Sequence, residues 1–173
     1  MINAFLRDVD KHVIAESTNL AATHNAKHIF SVKASEDIDN GKLVNLTDMR
    51  YLKNEVYSMV EPTATCRVGL ILSVPIAYDS TPYKATLDSN FYNGKDENMR
   101  VYDLLEGDRF TVSANGIAGG DAVKIGAYVV ADGYDITAQA STPGETVGFV
   151  GEIIETIKRT NGIFYKILVR KNG

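Results

Sequence analysis

The chain has 173 residues, of which 45% are hydrophobic and 23% are charged. This composition is typical of a globular protein and excludes an intrinsically disordered chain. Lys plus Arg number 18 against 22 Asp plus Glu, so the net charge is −4. Because the chain is acidic overall, it has no general electrostatic attraction to nucleic acid or to anionic lipid. We therefore expect no nucleic-acid partner and no membrane partner.

The single cysteine and the first residues bear on the compartment. Cys66 has no second cysteine with which to form an internal disulfide, which favours a reducing environment. Asp8, Asp10 and Glu16 interrupt the apolar residues at the start of the chain, so no signal-peptide core is visible. We expect a soluble protein made in the cytoplasm.

Residues 1–28 differ in pattern from the rest of the chain. Apolar residues spaced i, i+3, i+4 and i+7 predict one face of a short helix, and the small polar residues at 17–25 predict a flexible linker. The segment is interpreted as an N-terminal arm that docks on a partner or is disordered. The spaced apolar residues are Ile2, Phe5, Leu6, Val9 and Val13.

From residue 29 onward the sequence is typical of strands. Short apolar runs recur with turn pairs between them, which predicts a mainly β fold, an antiparallel β-sandwich or small β-barrel. Thr47 predicts one helical turn at residues 48–53. We expect one β domain at residues 29–173. Strands are predicted at residues 28–34, 42–46, 55–60, 67–78, 101–105, 108–113, 122–130 and 134–140.

The clearest element is a hairpin at the end of the chain. The apolar runs 147–157 and 163–169 are joined by Arg159-Thr160-Asn161-Gly162. Asn-Gly readily takes the two positive φ angles of a type I′ turn, whose twist matches that of the flanking strands. The sequence therefore predicts a closing β-hairpin with a type I′ turn at Asn161 and Gly162.

A long polar loop is predicted at residues 79–99, and loops of this length are uncommon unless they have a function. The aromatic residues around it are suited to a protein-binding or sugar-binding surface, because tyrosine brings contact area at low entropic cost. Ordinary sheet packing explains many of them equally well, and both interpretations stay open. With the N-terminal residues, the candidate interface is Phe5, Leu6, Val9, Tyr78, Tyr83, Phe91 and Tyr92.

Candidate metal and phosphate sites are incomplete. His24 and His28 have the i, i+4 spacing of zinc ligands, but no Glu follows His24 and no third ligand is evident. Residues 37–41 resemble part of a calcium loop, but Gly41 comes too early and a turn is favoured. The glycine-rich loop 115–121 precedes a predicted strand rather than a helix, which favours a structural turn. We expect no metal and no cofactor.

Candidate catalytic residues are equally incomplete. Cys66 as a nucleophile needs a histidine base, and all three histidines lie within residues 12–28, so a buried structural thiol is favoured. No pair of carboxylates is marked as acid and base. The basic residues Lys166, Arg170 and Lys171 alternate along a strand and are interpreted as a solvated face. We expect no catalytic residue and no enzymatic activity.

Four short segments of the strand-rich part occur in a recognisable order. They are Asp37-Ile38-Asp39-Asn40-Gly41-Lys42-Leu43-Val44, Glu55-Val56-Tyr57, Glu106-Gly107-Asp108, and an ending formed by residues 148–156 with residues 165–169. This order resembles that of the capsid decoration, or cement, proteins of tailed bacteriophages. The likeness covers roughly residues 30–173, and its motifs are short and glycine-based.

This resemblance implies a non-enzymatic structural protein on the virion. Such a protein binds the outer surface of an assembled capsid and stabilises it, with the major capsid protein as partner and a homo-oligomer, trimer or dimer, as the expected state. Two alternatives stay open. One is another phage structural module, a head fibre base or tail component, attached through residues 1–28. The other is a carbohydrate-binding β-sandwich, which requires exposed aromatic residues in the 79–99 loop.

Overall fold

The structure is a computed structural model that describes residues 12–74 and 90–173. It is mainly β, with 48% of the described residues in strands. The strands are β1 (Ala15–Asn19), β2 (Ile29–Lys33), β3 (Leu43–Asn45), β4 (Tyr51–Lys53), β5 (Val56–Ser58), β6 (Val68–Ile71), β7 (Asn98–Asp103), β8 (Arg109–Ser113), β9 (Ile117–Ala118), β10 (Tyr128–Asp132), β11 (Asp135–Gln139), β12 (Phe149–Arg159) and β13 (Gly162–Asn172). Short 3-10 turns occupy Ala21–His24, Ala26–His28, Ala114–Gly116 and Gly120–Ala122.

The strands form two sheets, and one of them curls into a half-barrel. The larger sheet has seven strands in the order β1-β8-β13-β12-β10-β11-β9, and the smaller has six in the order β3-β6-β7-β2-β5-β4. Neighbouring strands are antiparallel except for the pairs β2–β5 and β9–β11, which are parallel. The predicted fold class, a β-sandwich or small β-barrel, is confirmed.

The main core lies between the two sheets. Leu70 of β6 and Tyr102 of β7 contribute from the six-stranded sheet, and Phe110, Phe149 and Ile167 contribute from the seven-stranded sheet. Phe110 and Ile167 are fully buried. Burying a large side chain of this kind contributes about 1.5–3 kcal/mol, so this layer is the principal source of stability.

A second apolar cluster covers the other face of the six-stranded sheet. Ile71 and Val101 belong to it, whereas their chain neighbours Leu70 and Tyr102 belong to the main core. Successive side chains of a strand point to opposite faces, so β6 and the second half of β7 are buried on both sides, whereas Asn98 and Arg100 in the first half of β7 are exposed. A strand buried on both faces is uniformly apolar, which explains the unbroken apolar run at the start of the predicted strand 67–78.

Residues 17–25 do not form the flexible linker that the sequence predicts. Residues 15–19 form β1, which pairs antiparallel with β8, and Leu20 and Ala22 are fully buried in the main core. Residues 17–19 are exposed because β1 is the outer strand of its sheet, so the segment is polar although it is ordered. Residues 1–11, which hold the rest of the predicted helix, lie outside the described residues.

The closing hairpin is confirmed, but its turn differs from the prediction. Arg159 pairs with Gly162, so the loop residues are Thr160 and Asn161. Of residues 159–162 only Gly162 has a positive φ, at 137°, which excludes a type I′ turn centred on Asn161 and Gly162. The register is set along two eleven-residue strands, where pairs such as Ile153 with Ile167 are buried, and it outweighs the preference of two turn residues.

Two further expectations are corrected. Residues 51–53 form β4 instead of a helical turn, because Asn54 and Glu55 take φ angles of 53° and 62° and turn the chain back into β5. The strand expected from residue 122 begins only at Tyr128, since a 3-10 turn at Gly120–Ala122 and Gly126 at φ 84° precede it. β7 begins at Asn98, within the predicted 79–99 loop, and residues 75–89 lie outside the described residues.

Val13 fixes the start of β1 by filling a slot above two glycines. A Cβ built on Gly116 would lie 2.5 Å from a methyl of Val13 and 2.5 Å from a methyl of Val112, and one built on Gly41 would lie 3.0 Å from Val13. Real Cβ atoms do not approach that closely, so the slot requires glycine at residue 116. The buried end of β1 therefore depends on residues far away in the sequence.

We predict that Gly116→Ala lowers the free energy of unfolding by about 1–3 kcal/mol, because the added methyl overpacks the slot. Denaturant titration measures this change. Gly144→Ala is the matched control, since a Cβ there meets nothing within 4 Å and the change should be nearly neutral. Adding Val13→Ala to Gly116→Ala should recover part of the loss. Equal denaturation midpoints for Gly116→Ala and Gly144→Ala would contradict close packing of Val13 and Val112 against Gly116.

Candidate interaction surface

His12, Asp39 and Tyr92 form a cluster that joins the start of the described chain to the residues that precede β7. The Nδ1 atom of His12 lies 2.7 Å from Asp39 Oδ1, and the backbone N–H of Val13 donates to Asp39 Oδ2 at 3.0 Å. The His12 ring stacks on Tyr92 with 5.0 Å between ring centroids. The cluster holds the Tyr92 ring in place while 43% of the residue remains exposed.

The predicted interface residues are only partly described. Tyr92 is exposed, and Phe91 is half-buried. The other predicted interface residues lie outside the described residues: Phe5, Leu6, Val9, Tyr78 and Tyr83. The interface therefore stays a prediction, with Tyr92 as its accessible aromatic ring.

His28, Asp103 and Arg67 form a second charged cluster. The Asp103 side chain is only 4% exposed, and it accepts hydrogen bonds from Arg67 Nε at 2.9 Å and from Arg67 Nη2. His28 Nδ1 lies 2.9 Å from the Asp103 carboxylate. A buried charge is tolerated only when it is paired and hydrogen-bonded, as it is here. The cluster ties the 3-10 turn before β2 to β7 and to the start of β6.

His24 and His28, which were considered as metal ligands, are part of the framework of the fold. His24 lies in the 3-10 turn Ala21–His24, and His28 is bonded to Asp103. No group of three metal-ligating side chains occurs within residues 12–74 and 90–173. The pair His24 and His28 therefore has no third ligand in the part of the chain that the structure describes.

Cys66 and the glycine-rich loop 115–121 also contribute to the framework of the fold. The Cys66 thiol is buried, and its Sγ lies 3.3 Å from both the backbone N and the carbonyl oxygen of Thr63. Gly119 has φ 122°, and a Cβ there would lie 2.6 Å from the carbonyl oxygen of Ala138. This glycine lets the loop pass close to β11, which agrees with the predicted structural turn.

The basic residues near the C-terminus have partners in the structure. Lys166 pairs with Glu155, and Arg170 pairs with Glu152. Lys171 donates to the backbone carbonyls of Glu145 and Val147, at 2.7 and 2.8 Å. The carboxylates of Glu155 and Glu152 balance the charges of Lys166 and Arg170, and backbone carbonyls hydrogen-bond the ammonium group of Lys171.

Tyr134 lies in an acidic part of the surface. Burial raises the pKa of Tyr134 above its usual range, the carboxylates of Glu36 and Glu61 raise it further, and a hydrogen bond with Ser35 acts in the opposite direction. Lys42 crosses this region and pairs with Asp135. The phenol therefore stays protonated to a higher pH than an isolated tyrosine.

The outer strand of the six-stranded sheet, β4, exposes large apolar side chains. Tyr51 is 58% exposed and Leu52 is 49% exposed, and Lys53 is exposed beside them. Among the described residues β4 pairs only with β5, so its other edge faces away from the described sheet. The backbone groups along an edge strand can pair with another chain. We call β4 and Arg50, the exposed residue before it, the β4 edge.

Three aromatic rings on neighbouring strands, Phe30, Tyr57 and Tyr51, form an aromatic row that supports the β4 edge. Phe30 of β2 meets Tyr57 of β5 edge to face with 5.8 Å between centroids, and Tyr57 meets Tyr51 in the same way at 5.6 Å. Such contacts each contribute about 0.5–1.5 kcal/mol beyond area burial. The row therefore holds the exposed Tyr51 ring in one orientation.

Sequence reasoning missed the β4 edge because Thr47 favoured a helical turn there. The available signal is Asn54, which tolerates positive φ better than other non-glycine residues. With Asn54 at a turn, Tyr51 and Tyr57 fall on paired strands.

Comparisons of the chain with models of known protein families, with curated proteins and with solved structures find no match. None of the helices among the described residues is both long and apolar enough to cross a membrane. The functional argument therefore depends on the residues themselves.

We predict that Asp103→Asn lowers the free energy of unfolding by about 2 kcal/mol, because it weakens charged hydrogen bonds to Arg67 and His28. Thermal or denaturant unfolding measures the loss. Glu155→Gln is the control: it breaks the exposed pair with Lys166 and should cost less than about 1 kcal/mol. Equal losses in the two variants would show that burial of Asp103 does not matter.

We also predict that Tyr134 contributes a pH-dependent term to stability. The folded state holds its phenol protonated to higher pH than the unfolded chain does, so this contribution is present below about pH 10 and is lost as the pH rises further. The difference in phenolate absorbance between the protein and Tyr134→Phe measures the titration.

Two glutamate variants test the cause of this shift. Glu61→Gln should lower the titration midpoint of Tyr134, because it removes a nearby negative charge, whereas Glu145→Gln should leave it unchanged. A midpoint that does not respond to Glu61→Gln would contradict the contribution of Glu61 and leave burial and Glu36 as the causes.

Proposed function

We propose that this protein is a non-enzymatic structural protein that binds the outer surface of an assembled phage capsid and stabilises it. The partner in this proposal is the major capsid protein, and the expected state is a trimer or dimer on the virion. The segments that resemble decoration proteins lie in the framework of the fold. Residues 37–44 lead into β3, residues 55–57 enter β5, residues 106–108 lead into β8, and the ending is the β12–β13 hairpin.

The β4 edge is the observation that carries the proposal. It combines a strand edge that has no partner among the described residues with two large exposed side chains, Tyr51 and Leu52, and the aromatic row fixes one of them. Aromatic residues are enriched at protein interfaces, and a preorganised ring loses little entropy on binding. These properties support a surface that binds another protein.

We propose that the β4 edge receives an extended segment of the shell subunit as a further strand. Strand addition uses backbone hydrogen bonds for affinity and side-chain contacts for specificity. Arg50 and Lys53 give this edge positive charge, so an acidic segment is the complementary partner. On a shell that presents many copies of the subunit, an oligomer engages several segments at once, and avidity exceeds each single contact.

The first prediction of this proposal is saturable co-sedimentation of the protein with shells assembled from the major capsid protein of its own source. Leu52→Glu should reduce binding at least about tenfold, because it places a charge in the apolar contact, a loss of roughly 1.4 kcal/mol or more. Ile125→Glu is the matched control, since Ile125 is 61% exposed away from the β4 edge, and it should bind normally.

Three outcomes separate the parts of the proposal. No binding of the unaltered protein to mature shells would overturn decoration. Binding that Leu52→Glu and Ile125→Glu leave equally intact would retain decoration but remove the β4 edge as its contact. Loss of binding with both variants, while both fold normally, would indicate nonspecific adsorption to the shell instead of a specific contact.

A carbohydrate-binding β-sandwich is the second candidate, and the exposed Tyr92 ring favours it. Tyr92 is held by the His12 ring, and an exposed aromatic residue in the 79–99 loop is what this function requires. Binding to a panel of glycans, lost on Tyr92→Ala and retained in Leu52→Glu, would support it. Absence of glycan binding by the unaltered protein would remove this candidate.

A further inference from the structure

The chain contains five Asn-Gly pairs, which are Asn40-Gly41, Asn93-Gly94, Asn115-Gly116, Asn161-Gly162 and Asn172-Gly173. Asn-Gly is the pair most open to spontaneous deamidation, because glycine has no side chain to hinder approach of its backbone nitrogen. In that reaction the Gly nitrogen attacks Cγ of Asn, a C–N bond forms, and ammonia leaves to give a succinimide. Water then opens the ring to aspartate or isoaspartate. The reaction needs an Asn side chain that is free to rotate toward the next residue.

Two of the pairs are buried and hydrogen-bonded. The Asn40 side chain donates to the Ser73 carbonyl at 2.8 Å and accepts from the Ser73 N–H at 2.9 Å. Asn93 is buried and donates to the Ile38 carbonyl at 3.1 Å. The N–H of Gly41, which would have to attack, donates to the carbonyl of Ile71 at 2.8 Å. Deamidation at either site requires local unfolding.

In two more pairs, both the oxygen and the nitrogen of the Asn side-chain amide are hydrogen-bonded. Asn115 accepts from the Ser113 hydroxyl and donates to the His12 carbonyl at 3.2 Å. Asn172 accepts from the Val68 N–H at 2.8 Å and donates to the Val68 carbonyl at 2.7 Å. These side chains cannot turn toward the next glycine without breaking those bonds.

Asn161 differs from the other four. It is exposed in the two-residue loop of the β12–β13 hairpin. Among the described residues it is the one Asn of an Asn-Gly pair whose side-chain amide has no hydrogen-bond partner. Gly162 pairs with Arg159 as the last pair of the ladder, so freeing its nitrogen requires only fraying of the hairpin tip. Such terminal openings cost far less free energy than opening a core.

We propose that Asn161 is a site of spontaneous deamidation in the folded protein, with water as the only co-reactant. The inference is independent of capsid binding. Conversion adds a carboxylate two residues along the chain from Arg159, and isoaspartate also inserts an extra backbone carbon into a two-residue loop. Arg159 binds Glu16 of β1 through two hydrogen bonds and lies over the Phe164 ring at 4.7 Å. The new carboxylate competes with Glu16 for Arg159, so conversion weakens the attachment of β1.

The test is peptide mapping of the full chain after prolonged incubation at mildly alkaline pH. Trypsin places Asn161 in the peptide of residues 160–166, and chromatography separates the isoaspartate product. We expect conversion at Asn161 to be at least about tenfold faster than at each of the other four pairs, because those sites must first open. The same incubation in urea should bring the five rates together, which makes the unfolded chain the control for intrinsic reactivity.

Two results would overturn the proposal. One is an Asn161 that stays intact in the folded protein while it converts in urea. The other is conversion at Asn115 or Asn93 that equals or exceeds conversion at Asn161. Asn161→Gln keeps the amide but disfavours ring closure, and it should abolish conversion of the 160–166 peptide.

Hydrogen exchange tests the consequence for β1. Amides of residues 15–19 should exchange faster in the incubated protein than in the fresh protein, and Asn161→Gln should show no such increase after the same incubation. Equal exchange in the fresh and the converted protein would overturn the effect on β1.

Discussion

The burial of β6 and of the second half of β7 on both faces is the constraint on which the rest of the structure depends. Leu70 and Tyr102 require the seven-stranded sheet on one side, and Ile71 and Val101 require a second apolar cluster on the other. The two strands must also lie close together, because a Cβ on Gly69 would lie 2.5 Å from a methyl of Val101. The sandwich and its second cluster both follow from this pair of strands.

Part of the fold could be predicted because strands and turns have local signatures. The apolar runs on either side of residues 159–162 predicted the closing hairpin, and the apolar residues from Val68 predicted a strand within residues 67–78, where β6 lies. The turn geometry was wrong because Asn161 and Gly162 are two residues, whereas the register is decided along the whole ladder. A local preference yields when many buried pairs oppose it.

β1 and β4 were missed for one shared reason: they are outer strands. An outer strand needs neither alternation nor apolar character throughout, so β1 resembles a linker, and β4 falls within the helical turn that Thr47 predicts. The partners of β1 are also distant in the sequence, since Val13 fits above Gly116. Information of this kind is not contained in a local window of residues.

The candidate site was even less predictable than the fold. The sequence contains histidines, a cysteine and many carboxylates, but it does not tell which of them meet. In the structure Asp103 meets Arg67 and His28, and the Cys66 thiol meets Thr63. These groups serve the framework, which leaves the exposed aromatic and apolar side chains of the β4 edge as the basis of the functional argument. That basis is a surface, and a surface is created only by folding.

The direction of β1 has a mechanical consequence. β1 runs antiparallel to β8, and β8 runs antiparallel to β13, so the first and last strands point the same way. A force that pulls residue 12 and residue 173 apart therefore acts along the strand axes and loads the β1–β8 hydrogen bonds in shear. Bonds loaded in shear must break together, whereas bonds loaded in a zipper geometry break one at a time. The β1–β8 and β8–β13 pairs thus resist a pull between residues 12 and 173.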